Sequence, residues 1–146
     1  MNNQIIDSTF WEQTGLKEWW QACQPLLQRP FPPPASTSSS HSSYNLSHLS
    51  NWVLICEELL DTQHPPDYLR SCYAELKKRG KTETEIKQMR EFAWMTAGWL
   101  NYAQMLWEWV NLDAADIRLA IEQQSRKGLI TANQQQSMLA FLDYHK

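Results

Sequence analysis

The stretch from Phe92 to Val110 reads FAWMTAGWLNYAQMLWEWV and carries no charge until Glu108. Four of the chain's eight tryptophans lie in it. Indole rings bury a large area and are costly to leave in water. A chain that collects them in one run must therefore wrap its other segments around that run. Thr82 and Glu85 form a capping box just upstream, so the spacing predicts one long helix over Thr82 to Val110, about 43 Å if continuous.

On a wheel of about 100° per residue, Phe92, Met95, Trp99, Tyr102, Leu106 and Trp109 fall in one stripe. Ile86, Met89, Ala93, Leu100, Ala103, Trp107 and Val110 fall in an adjoining one. A surface helix needs an apolar stripe of only about 100°. This one has more, and is expected to be the central element. The remaining arc holds Glu83, Lys87, Arg90, Asn101, Gln104 and Glu108, with Trp94 among them and a notch at Gly98 one turn on. Two readings follow. Either another segment covers Trp94, such as the N-terminal helix or the linker, or Trp94 with Arg90, Gly98 and Asn101 forms a partner-binding surface. Trp11 with Trp19 or Trp20 is a second candidate surface. Asn101, Gln104 and Glu108 share one side of the helix, as a solvated strip or as a polar ligand site above the tryptophans.

The rest of the chain reads as shorter helices. Thr9 and Glu12 make a capping box that opens a helix near Phe10, and Pro25 should kink or end it. Residues 29–47 include PFPPP and ASTSSSHSS, which cannot bury enough apolar surface to hold a fixed fold and read as a linker. A helix is expected from about His48 to Leu60, another from Pro65 or Pro66 to a C-cap at Gly80. Asp113 caps a helix that stops at Gly128, and Thr131 with Gln134 opens the last. The sum is an all-α, single-domain bundle of about five to six helices around the helix at 82–110. Its parts are an N-terminal amphipathic helix within 1–28, the linker at 29–47 and the bundle core at 48–146.

Only four glycines are present and no strand-like alternation is sustained, which favours helices. With 42% apolar and 20% charged residues the chain can fold. No secretory signal is visible, and the uncharged run from Phe92 to Trp107 is too short to cross a bilayer. Cys23, Cys56 and Cys72 are odd in number, without a CxxC pair, and read as buried thiols in a reducing, cytoplasmic setting.

Seven of the thirteen Lys and Arg lie in one cluster: Arg70, Lys77, Lys78, Arg79, Lys81, Lys87 and Arg90. The segment AELKKRGKTETEIKQM resembles a helix-turn-helix DNA-binding unit, which implies that this cluster meets nucleic acid. Glu83 and Glu85 stand where phosphates would approach, so a charged interhelical corner is the competing reading. Phe31-Pro32-Pro33-Pro34 looks like the start of a proline-rich ligand for a polyproline-binding domain. His41, His48, His64 and His145 are dispersed, and none has the i, i+4 partner of a zinc helix, so neither metal nor cofactor is expected. No G-x-S-x-G, phosphate-cradling glycine loop, H-E-x-x-H or dinucleotide fingerprint is present.

These observations point first to a small non-enzymatic interaction module, an adaptor, accessory subunit or regulator that buries an aromatic anchor in another protein. A homodimer made by swapping the first helix across the linker is a special case. The alternatives are a small-molecule binder or enzyme using the aromatic centre with Asn101, Gln104 and Glu108, and a nucleic-acid binder using the basic cluster.

Overall fold

The computed structural model of the chain describes residues 6–33, 44–59, 65–103 and 112–146. Among these residues every regular element is helical and no strand occurs: the fold is all-α, around a Trp-rich core. The α-helices are α1 (Ser8–Glu12), α2 (Lys17–Leu27), α3 (Asn51–Cys56), α4 (Pro66–Lys78), α5 (Glu83–Ala93), α6 (Ala114–Arg126) and α7 (Ala132–Tyr144). A 3₁₀ turn, Glu57–Leu59, follows α3, and a π-helical segment, Trp94–Ala103, continues α5.

Local chemistry explains most of the boundaries. The Thr82 hydroxyl accepts from the Glu85 amide at 3.1 Å while the Glu85 carboxylate accepts from the Thr82 amide at 3.0 Å, and Thr131 with Gln134 repeats the pattern. Asp113 caps α6 with Asp116 reciprocating. Gly80 and Gly128 follow α4 and α6 with φ of +93° and +73°, a backbone that side-chain-bearing residues avoid.

The N-terminal region departs from the expected single helix. Asp7, not Thr9, is the first cap, accepting from the Phe10 amide at 3.3 Å. The chain then breaks between α1 and α2. The Gly15 amide donates to the Leu129 carbonyl at 2.6 Å, and a β-carbon on Gly15 would stand 3.0 Å from the Leu129 Cα. That tertiary contact holds the break open. Pro25 lies inside α2, whose last helical residue is Leu27.

The long helix departs too. After Ala93 the ladder widens from i→i+4 to i→i+5, a rare geometry. Three carbonyls at the junction accept from side chains. The Phe92 carbonyl takes the Thr96 hydroxyl at 2.8 Å, Trp94 takes the Trp19 indole N–H at 2.9 Å, and Met95 takes the Gln124 amide at 2.8 Å. Donors that insert into a helical ladder loosen it, which accounts for the widening here. The expected continuation from 104 to 110 lies outside the described residues.

Helices α2 and α6 pack on the π segment, α3 packs on α4 and α5, and α7 packs on α6. Rings run through the centre in near contact. Trp20 stacks on Trp11 at 6.4 Å, Trp11 meets Phe92 at 6.0 Å, and Phe92 meets Trp52 at 5.5 Å and Phe141 at 4.7 Å. Cys23, Cys56 and Cys72 are free and buried in this core. No helix among the described residues is long and apolar enough to cross a membrane.

Candidate functional site

The first polar cluster lies where α2 meets α5. Arg90, 7% exposed, donates through Nε and Nη2 to both Glu58 oxygens. Its Nη1 reaches the Leu27 carbonyl at 3.0 Å and its Nη2 the Leu26 carbonyl at 3.1 Å, so one guanidinium both pairs a buried carboxylate and caps the end of α2. The Trp94 indole N–H also donates to Glu58, at 3.3 Å, and the Phe31 ring lies 5.6 Å from the guanidinium carbon. Every partner here belongs to the chain itself. The cluster is a clasp between the N-terminal helix and the bundle.

This arrangement corrects the expectation of Trp94 as an outward anchor. Of the two readings, the covered one is seen: Trp94 is 3% exposed and stacked on Tyr102 at 5.9 Å, and its backbone carbonyl accepts from the Trp19 indole. Gly98 is not an open notch. A β-carbon there would meet the Trp94 ring at 3.0 Å and Leu59 at 3.4 Å. Asn101 is buried as well, at 7%. The second expected surface is also internal, with Trp11 at 0%, Trp20 at 5% and Trp19 partly covered. Gln104 and Glu108, the other members of the expected ligand strip, lie outside the described residues.

The basic cluster is divided. Arg90 faces inward, and Arg79 donates to Glu75 at 2.8 Å, to Asn51 at 2.9 Å and to the Leu46 carbonyl at 3.1 Å. Arg70 pairs with Asp67. Lys77, Lys78 and Lys87 are exposed. Phe31, the first residue of the expected proline-rich ligand, packs edge-on against Tyr73 at 5.7 Å and is not free for a partner.

A second cluster sits at the C-terminus. His145 is 3% exposed, its ring among Trp52, Phe141 and Tyr144. Its carbonyl accepts from the Asn51 side chain at 3.0 Å. Its Nδ1 lies 2.7 Å from Lys81 Nζ, which also stands 5.5 Å from the centre of the Tyr144 ring. Burial, then the Lys81 charge, hold the His145 pKa down at about 4, with Glu85 opposing. Burial also lowers that of Lys81, again against Glu85. At neutral pH the imidazole is therefore uncharged and accepts the hydrogen bond from the lysine. Tyr144 is 63% exposed.

Sequence reasoning did not find Glu58, Asn51 or His145. The signal for His145 was present: it extends the stripe Met138, Phe141, Leu142 by a further three to four residues. Glu58 and Asn51 gave none, because their partners lie 32 and 94 residues away.

Among the described residues no group of His, Cys, Asp and Glu is placed to hold a metal ion. No family model, curated protein or solved structure matches the chain.

Proposed function

We propose that the chain is a non-enzymatic helical interaction module, an adaptor, accessory subunit or regulator, and that Tyr144 anchors its docking face. The observation that carries this reading is the contrast in aromatic exposure. Trp11, Trp52, Trp94 and Trp99 are buried, while the Tyr144 ring stands 63% exposed at the end of a packed helix. Among the described residues the only other exposed large hydrophobic is Leu119, at 37%. Arg118 of α6 and Asp143 of α7, the residues that precede these two in sequence, bridge at 3.1 Å, and Lys146 joins Asp143 at 3.2 Å. A rigid aromatic with a charged rim is the usual composition of a binding hot spot.

The test compares wild type and Tyr144→Ala as immobilised baits, with quantitative mass spectrometry of what each captures. The expected result is a discrete set of proteins depleted about tenfold or more by the substitution, as loss of a hot-spot side chain produces, with helicity and melting temperature unchanged. Identical capture by both baits would end the assignment of Tyr144. Light scattering over a concentration series separates a partner from a second copy of the chain.

One observation favours a second reading, a small-molecule binder. The buried Trp11 Nε1 and Gln124 Oε1 have no hydrogen-bond partner among the described residues, and Gln124 reaches the π segment. Unsatisfied buried groups and π geometry both concentrate at functional sites. A thermal-shift screen over small metabolites tests it, since a ligand of the folded state raises the melting temperature.

A further inference from the structure

The seat of Phe31 on α4 and α5 is occupied by the chain itself, and its occupant shows what chemistry fits there. Past the end of α2, Gln28, Arg29 and Pro30 are exposed, and Phe31, Pro32 and Pro33 are then half-buried. The Phe31 ring meets Tyr73 of α4 edge-on at 5.7 Å and stands 5.6 Å from the guanidinium carbon of Arg90 on α5. It is held by one ring–ring contact and one cation–π contact. Neither wall depends on Phe31. Arg90 is fixed by both Glu58 oxygens and by the Leu26 and Leu27 carbonyls, and the Tyr73 hydroxyl donates to Glu83 at 3.4 Å. Walls fixed by other groups are preorganised and keep their shape when the ring leaves. Among the described residues no hydrogen bond joins Phe31, Pro32 or Pro33 to α4 or α5. The segment can therefore lift off at the exposed residues 28–30 while α2 stays clasped.

We infer that the Tyr73–Arg90 seat is a docking site for a segment of a partner protein in which an aromatic residue precedes prolines, and that residues 31–33 are a strap that closes it. The aromatic ring fills the space between the cation and the tyrosine. Proline suits the positions that follow, because it has no N–H to leave unpaired on a half-buried surface. Its fixed φ also lowers the entropy lost on docking. The partner's segment binds only where the strap has lifted, so its affinity is reduced by the fraction of molecules that are open. The seat shares no residue with the contacts of Tyr144, which are Lys81 and His145, so either docking site can fail without the other.

The probe is a synthetic peptide with the sequence of residues 29–35, RPFPPPA. It is added to the isotope-labelled whole chain, and amide shifts are followed by NMR. A tether supplies the strap at roughly millimolar effective concentration, so the free peptide is titrated to about 5 mM. In wild type the amides around Tyr73 and Arg90 are expected to shift. Phe31→Ala, with helicity unchanged, is expected to bind the peptide about tenfold more tightly, because the strap no longer competes. The same peptide carrying Phe31→Ala should not bind, and Tyr73→Ala added to Phe31→Ala in the protein should weaken binding about tenfold, as loss of a hot-spot contact does. No shift at these amides in either protein overturns the docking site, and wild type alone suffices for that outcome. Equal affinity for wild type and Phe31→Ala overturns the strap. A wild type that dimerises by light scattering, and reverts to monomer with Phe31→Ala, puts a second copy's Phe31 in the seat and overturns the assignment to a partner protein.

Discussion

At the scale of single residues, Arg90 shows how a charged side chain comes to lie inside a small helical protein. It is held because Glu58 and the last carbonyls of α2 together meet its donors. Removing one member of such a pair strands the other charge, at about 3–5 kcal/mol, whereas removing both costs less. Arg90→Ala is therefore expected to lower unfolding stability by about that amount in urea titration. Arg90→Ala combined with Glu58→Ala should recover part of it. A single variant within about 1 kcal/mol of wild type would mean that the pair is not desolvated as described.

At the scale of elements, the π segment is the feature that governs packing. Gly98 permits it, because Trp94 occupies the space a β-carbon would need and is tied by its indole N–H to Glu58. In an ordinary exposed helix Gly→Ala stabilises by up to about 1 kcal/mol. Here overpacking of about 1–3 kcal/mol outweighs it, so Gly98→Ala should destabilise and shift the near-ultraviolet circular dichroism of the tryptophans. Loss of the Trp19 indole donor in Trp19→Phe should cost about 1 kcal/mol, read by the same titration. The caps of α5, α6 and α7 were legible in the sequence because capping is local, spanning three residues. The widening after Ala93 was not, because its causes, Trp19 and Gln124, come from elsewhere in the chain. A wheel counted at 3.6 residues per turn loses phase once bonds run i→i+5, and burial of the whole run Trp94–Asn101 leaves no wet arc there. The expected polar strip at Asn101 failed for that reason.

At the scale of the whole molecule, the C-terminal residues act as a fastener for α3, the end of α4 and α7. Their weak point is acid. His145 sits near 4 in the fold against its ordinary 6.5. Above 6.5 the ring is neutral folded or unfolded, and its full contribution is present. As pH falls from 6.5 to 4 the unfolded chain gains a proton that the folded chain refuses, so stability is lost. Below the lower value this group causes no further loss. At 1.36 kcal/mol per pH unit the ceiling is about 3 kcal/mol. Melting temperatures across this range should fall more steeply for wild type than for His145→Phe, and parallel curves would contradict the buried, neutral imidazole. Lys81 and Glu85 act on the ring through their charges, so the difference between the two proteins is the quantity to compare.

The stitches of this molecule join its opposite ends: Gly15 to Leu129, Gln13 to Gln134, Asn51 to His145 and Trp52 to Leu142. During synthesis the chain leaves the ribosome from the N-terminus, so Trp11, Trp20 and Trp52 emerge long before the residues that cover them. Until α7 is released, a nascent chain carries indoles that their native partners have not yet covered. Emergence of α7 is the event that closes this core.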